Sequence, residues 1–154
     1  MALDPRIIEA FKKIDFVKRY EELSNTFNEE KTPDEKILEK TETKKVKEII
    51  QNLGYQCQFN SKERFYKIKD EQIGDFSFRV HISLRYGLVE LIWVASESGN
   101  LLMGAPWIVY ARELKDDIRY SIRRPVIGSY GDLEEILKIS FEMYEDFKRA
   151  LTDH

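Results

Sequence analysis

Cys57 and His81 are the internal residues from which a thiol nucleophile and its base could be assembled, with Arg79 or Arg119 as the cation that would orient an anionic substrate. Their phases argue against a dyad. Cys57 alternates in step with Tyr55 and Phe59, whereas His81 is out of step with Phe78, Val80 and Ile82, so in one continuous sheet the thiol falls on the core side and the imidazole on the other. Cys57 then reads as a small buried hydrophobe. The second histidine is the terminal His154, and two histidines without ligand spacing make no metal cluster, so no metal and no cofactor are expected. The carboxylate pairs Asp116-Asp117 and Glu145-Asp146 are adjacent in sequence and diverge on a helix or a strand. There is no Walker loop and no G-x-G-x-x-G. Gly128-Ser129-Tyr130-Gly131 could present amides to an anion, but the same residues serve to cap a helix.

Arg119, Arg123 and Arg124 lie close to Tyr120 and Tyr130, the combination that single-stranded nucleic acid would require for phosphate neutralisation and base stacking. Asp116, Asp117 and Asp132 flank the cluster, which favours a solvated or salt-bridged edge and leaves nucleic acid the weaker reading. The formal charge of −3 adds no long-range field to draw nucleic acid or anionic lipid. With 154 residues, 42% of them hydrophobic and 34% charged, the composition is that of an ordinary single globular domain, 1–154. Such a chain hides roughly 70% of the surface it would expose unfolded. No segment reaches the ~20 apolar residues of a membrane span, the start carries charges at Asp4 and Arg6, and one cysteine suits a reducing compartment, so the expectation is cytoplasmic.

The elements that must position these side chains follow from periodicity. Asp4-Pro5 and the apolar spacing through Tyr20 predict one helix reaching Leu23, and Thr32-Pro33-Asp34-Glu35 predicts the start of a second that ends at Gly54. Residues 24–44 are expected to be mobile or to project into solvent. Strands follow at 55–59, 65–68, 75–85, 88–96 and 101–112, the last interrupted by Gly104-Ala105-Pro106, and the alternation of Ile118, Tyr120 and Ile122 allows a sixth short strand at 118–123. A continuous stripe from Leu133 to Leu151 predicts a long C-terminal helix. The class is α+β: about five antiparallel strands against that helix, in the order αα-βββββ-α.

The hairpin around Tyr86-Gly87 defines two faces. An even turn sets Val80, Ile82 and Leu84 with Val89, Leu91 and Trp93, whereas an odd one would bury Glu90 at a cost of several kcal/mol. The opposite face then carries Arg79, His81, Ser83 and Arg85 beside Leu88, Ile92 and Val94, with Tyr86 at the turn. Either the chain's own helices cover that face, or a partner or a second copy does. The expected function is protein binding without catalysis, of the kind an immunity protein uses to neutralise a toxin, in a monomer or homodimer. Arg79, His81, Arg85, Tyr86, Arg119 and Arg123 are the candidate binding residues. The competing expectation is a small enzyme or ligand-binding protein working at His81 and Arg79.

Overall fold

The computed structural model describes residues 3–153. Asp4 and Pro5 open α1 (Pro5–Lys13), with the Asp4 carboxylate accepting the Arg6 N–H at 2.8 Å. The predicted single helix is broken at Asp15, which takes a left-handed conformation (φ 53°) before α2 (Phe16–Thr26) begins. That break redirects the chain so that Phe11 and Phe16 face each other at 4.6 Å. The predicted helix from Thr32 is also corrected. Only a single 3-10 turn forms at Asp34–Lys36, residues 37–42 are not helical, and α3 is confined to Thr43–Asn52. Around the 3-10 turn the chain is tied down: Val126 N–H donates to Phe27 O at 2.9 Å and Leu38 N–H to Ile127 O at 2.9 Å.

Six antiparallel strands follow: β1 (Cys57–Asn60), β2 (Phe65–Ile68), β3 (Glu71–Ile73), β4 (Phe76–Arg85), β5 (Leu88–Glu97) and β6 (Asn100–Pro106). The order across the sheet is β1-β2-β4-β5-β6, with the short β3 also paired to β4. Arg85 pairs with Leu88, which leaves Tyr86 and Gly87 as a two-residue turn, both at positive φ as a type I′ turn demands. Gly87 is needed there for space as well, because a Cβ would collide with the Ile37 Cγ2. The β4 and β5 register is the even one, setting Val80 opposite Trp93 and His81 opposite Ile92.

The predicted strand at 101–112 is two elements. β6 ends at Pro106, and α4 (Trp107–Lys115) buries Trp107, Tyr110 and Ala111, spaced i, i+3, i+4. The short strand expected at 118–123 does not form; the chain turns there and rejoins the sheet through an isolated bridge between Val126 and Leu88. α5 (Tyr130–Thr152) starts from a reciprocal cap in which Ser129 Oγ accepts the Asp132 N–H and Asp132 accepts the Gly128 N–H at 2.8 Å. The glycine loop before α5 is thus occupied as a helix cap.

One core cluster joins the helices to the β4–β5 face that carries Phe78, Val80, Ile82, Leu91 and Trp93. Lys148 on α5 is buried beneath it, ion-paired with Glu71 of β3 and with Glu145 at 2.9 Å, and it ties the three-residue β3 to the helix. Tyr110 makes a second polar insertion: its hydroxyl donates to Trp93 O at 2.5 Å and accepts the Ala105 N–H at 2.7 Å, bridging β5 and β6. Burial holds this phenol well above the usual tyrosine range, so it stays protonated and able to donate. Removing the hydroxyl in Tyr110→Phe leaves two backbone groups unpaired and should cost about 1–3 kcal/mol in urea unfolding. A loss under about 0.5 kcal/mol would mean that the β5–β6 ladder closes without it.

Candidate functional site: the open face of the sheet

The helices all pack on one side. Phe11 of α1, Phe16 of α2, Trp107 of α4 and Phe147 of α5 each set a ring against Trp93, and Val46 and Ile50 of α3 belong to the same core. The other side of β2, β4, β5 and β6 is left to side chains that belong neither to that core nor to its packed margin: Phe65, Leu88, Ile92, Val94 and Leu101. Leu101 is 68% exposed.

Register arranges this face in cross-strand rows. Lys67, His81, Ile92 and Pro106 form one; Arg79, Val94 and Gly104 form the next; Phe65, Ser83 and Glu90 lie on the other side of the first. His81 stacks on Phe65 with centroids 4.3 Å apart and planes at 23°. Its Nε2 is buried without a hydrogen-bond partner among the described residues. Arg79 is held beside it by an ion pair with Asp70 at 3.3 Å. The result is a band of aliphatic carbon between charged pairs, with Arg79/Asp70 toward one end and Glu90/Arg124, 3.8 Å apart, toward the other.

The candidate residues separate into two places. Arg79, His81 and Arg85 share the open face, and Tyr86, 78% exposed, stands at its end on the turn. Arg119 and Arg123 are exposed in the irregular chain before α5, where Arg123 pairs with Glu30 at 2.8 Å. The rings near them are engaged elsewhere: Tyr120 donates to Glu21, and the Tyr130 oxygen accepts the Glu42 N–H at 2.9 Å. Cys57 pairs with Ile68 in β2, on the core side, whereas His81 pairs with Lys67 on the open side, so thiol and imidazole are on opposite faces. The described residues contain no group of three or more His, Cys, Asp or Glu able to hold a metal ion, and His154 lies outside them. Nor is any of their helices long and apolar enough to cross a membrane.

Phe65, Lys67 and Asp70 are members of the face that periodicity in 76–95 did not bring in. Their signal was the pairing of β2 with β4, which a lone β-strand pattern does not carry. Around His81, burial first, then the Arg79 and Lys67 charges, hold the imidazole below its ordinary pKa of 6.5 against the opposing pull of Asp70 and Glu63. The unfolded chain therefore takes up this proton at a higher pH than the folded one. The stability it confers is complete above about 6.5 and declines as pH falls below it. Urea unfolding across that range should show a shallower decline for His81→Phe than for the natural chain, and equal slopes would refute the assignment. Comparison with protein-family models, with curated proteins and with solved structures finds no match to this chain.

Proposed function

We propose that this chain is a protein-binding domain whose open sheet face is its recognition surface. The supporting observation is the patch of half-buried Phe65, Ile92 and Val94, one from each of three adjacent rows, which lies outside the core that the described helices form. Aliphatic and aromatic carbon at the centre with arginine at the margin is the composition of an interface core. Lys67, Arg79, Arg85 and Arg124 outnumber Glu63, Asp70 and Glu90 around it, so the complementary partner presents an apolar centre rimmed by acidic groups. A toxin neutralised by an immunity-type protein is one partner of this kind.

Catalysis at His81 is less well supported. One of the two imidazole nitrogens, Nε2, is buried, and the ring lies face to face with Phe65. Single-strand binding at Arg119 and Arg123 is weakened by the Glu30 pairing and by the engaged tyrosines.

A photo-crosslinker placed at Val94 should trap one partner from the source cell, while the same group at Glu142, on the exposed side of α5, should not. Ile92→Glu should abolish that crosslink with little change in thermal midpoint. If the trapped protein is a toxin, co-expression with the natural chain restores growth and co-expression with the Ile92→Glu chain does not. Equal trapping from both positions, or none from Val94, would defeat the reading.

A further inference from the structure

β5 loses its ladder partner in one place. β6 stops opposite Ile92 and turns into α4, and the chain does not return to the sheet edge until Pro125, whose carbonyl accepts the Val89 N–H at 2.9 Å. Glu90 and Leu91 face the interval. A cavity of about 220 Å³ fills it, bounded by β5, the first turn of α4 and residues 121–125.

Three kinds of group converge there. Arg112 and Arg124 line the cavity with Glu90 as the only carboxylate among the described residues, so two guanidiniums against one carboxylate leave one positive charge uncompensated. Arg112 is oriented by its Nε–H, which donates to Tyr120 O at 2.8 Å, and it makes no ion pair among the described residues. Arg124 is held only loosely, 3.8 Å from Glu90. Both guanidiniums and Glu90 act on the Tyr20 hydroxyl, which burial pushes up to about 12. Pro106, the residue before α4, supplies no side-chain cap, so the free N–H groups of the first turn lack a side-chain acceptor. Trp107 at that turn is 3% exposed, and its indole N–H is buried without a hydrogen-bond partner among the described residues. Apart from Ser121, the remaining lining side chains are apolar, among them Ile122 and Pro125.

We propose that this cavity binds a small monocarboxylate, with its anionic end between Arg112 and Arg124 and its apolar body against Trp107, Ile122 and Pro125. One surplus positive charge matches a monoanion, and the planar fork of a guanidinium matches a carboxylate. The volume is below the roughly 300 Å³ at which pockets begin to accept drug-sized molecules, so the ligand is a short acid. The cavity adjoins the sheet face and shares Glu90 and Arg124 with its rim, but a small-molecule readout tests it apart from the crosslink at Val94.

Hexanoate, hexanamide and inorganic phosphate are the probes, read through the intrinsic fluorescence of the two tryptophans, Trp93 and Trp107, in low-salt buffer. Hexanoate should give a saturable change, and hexanamide should bind at least about tenfold more weakly because it lacks the charge that the arginines meet. Arg112→Gln and Arg124→Gln should each weaken hexanoate about tenfold. Arg124, being half-exposed, tests the site without threatening the fold. The proposal is overturned by no saturation with hexanoate, by equal binding of the amide, or by unchanged affinity in both arginine variants. Phosphate binding as tightly as hexanoate would also overturn it, since the site would then read charge and not the carboxylate with its apolar body.

Discussion

Trp93 is the residue on which the architecture depends. It lies in the middle of β5 on the inner face, and its ring is approached by Phe16 at 5.7 Å, Trp107 at 5.2 Å, Tyr144 at 5.7 Å and Phe147 at 5.3 Å, with Phe11 stacked at 6.2 Å. Four helices therefore meet on one indole. Each such pair adds about 0.5–1.5 kcal/mol beyond the area it buries, and its backbone carbonyl is taken by Tyr110 from the helix that follows β6. Because α1, α2, α4 and α5 all bring rings to the same spot, they compete for one face of the sheet. The opposite face is left over as a consequence.

That asymmetry explains both surfaces with functional character. The open face is what remains when the helices commit to Trp93. The cavity arises from the same commitment, since α4 must leave the sheet directly after Pro106 to deliver Trp107 and Tyr110 to the core, and the ladder beside β5 stays open until Pro125 returns. Polar anchors add to the packing at the margins of the core. Lys148 fixes β3, Arg6 fixes α1 to β5 through Glu97 at 2.8 Å, and Arg123 with Ser24 fixes the irregular chain before α5 to the region of α2. Of these, the Arg6 and Arg123 pairs are exposed and contribute little singly, whereas Lys148 is buried. Their role is positional.

Elements with a strong period and a matching cap were legible: the start at Asp4-Pro5, the strands 76–85 and 88–97, and the long last helix. The errors have separate causes. Trp107-Ile108-Val109-Tyr110 is a run of strand-favouring residues, yet tertiary packing makes it helical because only a helix brings Trp107, Tyr110 and Ala111 to one side. The break at Asp15 carries no glycine or proline to announce it; aspartate can adopt φ > 0 at modest cost, and the Phe11–Phe16 contact favours doing so. Thr32-Pro33-Asp34-Glu35 has the chemistry of a helix start, but residues 37–42 lack the apolar stripe that would bury a helix there, and Leu38 bonds to Ile127 instead. On the open face, Arg79, His81 and Arg85 could be grouped by alternation alone, whereas Phe65, Lys67 and Asp70 could not, because strand pairing is nonlocal.

By itself the sequence determined that β4 and β5 form a hairpin with an even turn and that Val80, Ile82, Leu91 and Trp93 share one side, since alternation has a period of two and burying Glu90 is costly. It determined equally that Cys57 and His81 point apart. Only the tertiary structure decided that every helix would gather on the Trp93 side. An amphipathic stripe specifies that a helix must be buried, but not against which surface, and that choice is made by how the rings of distant segments fit together around one indole.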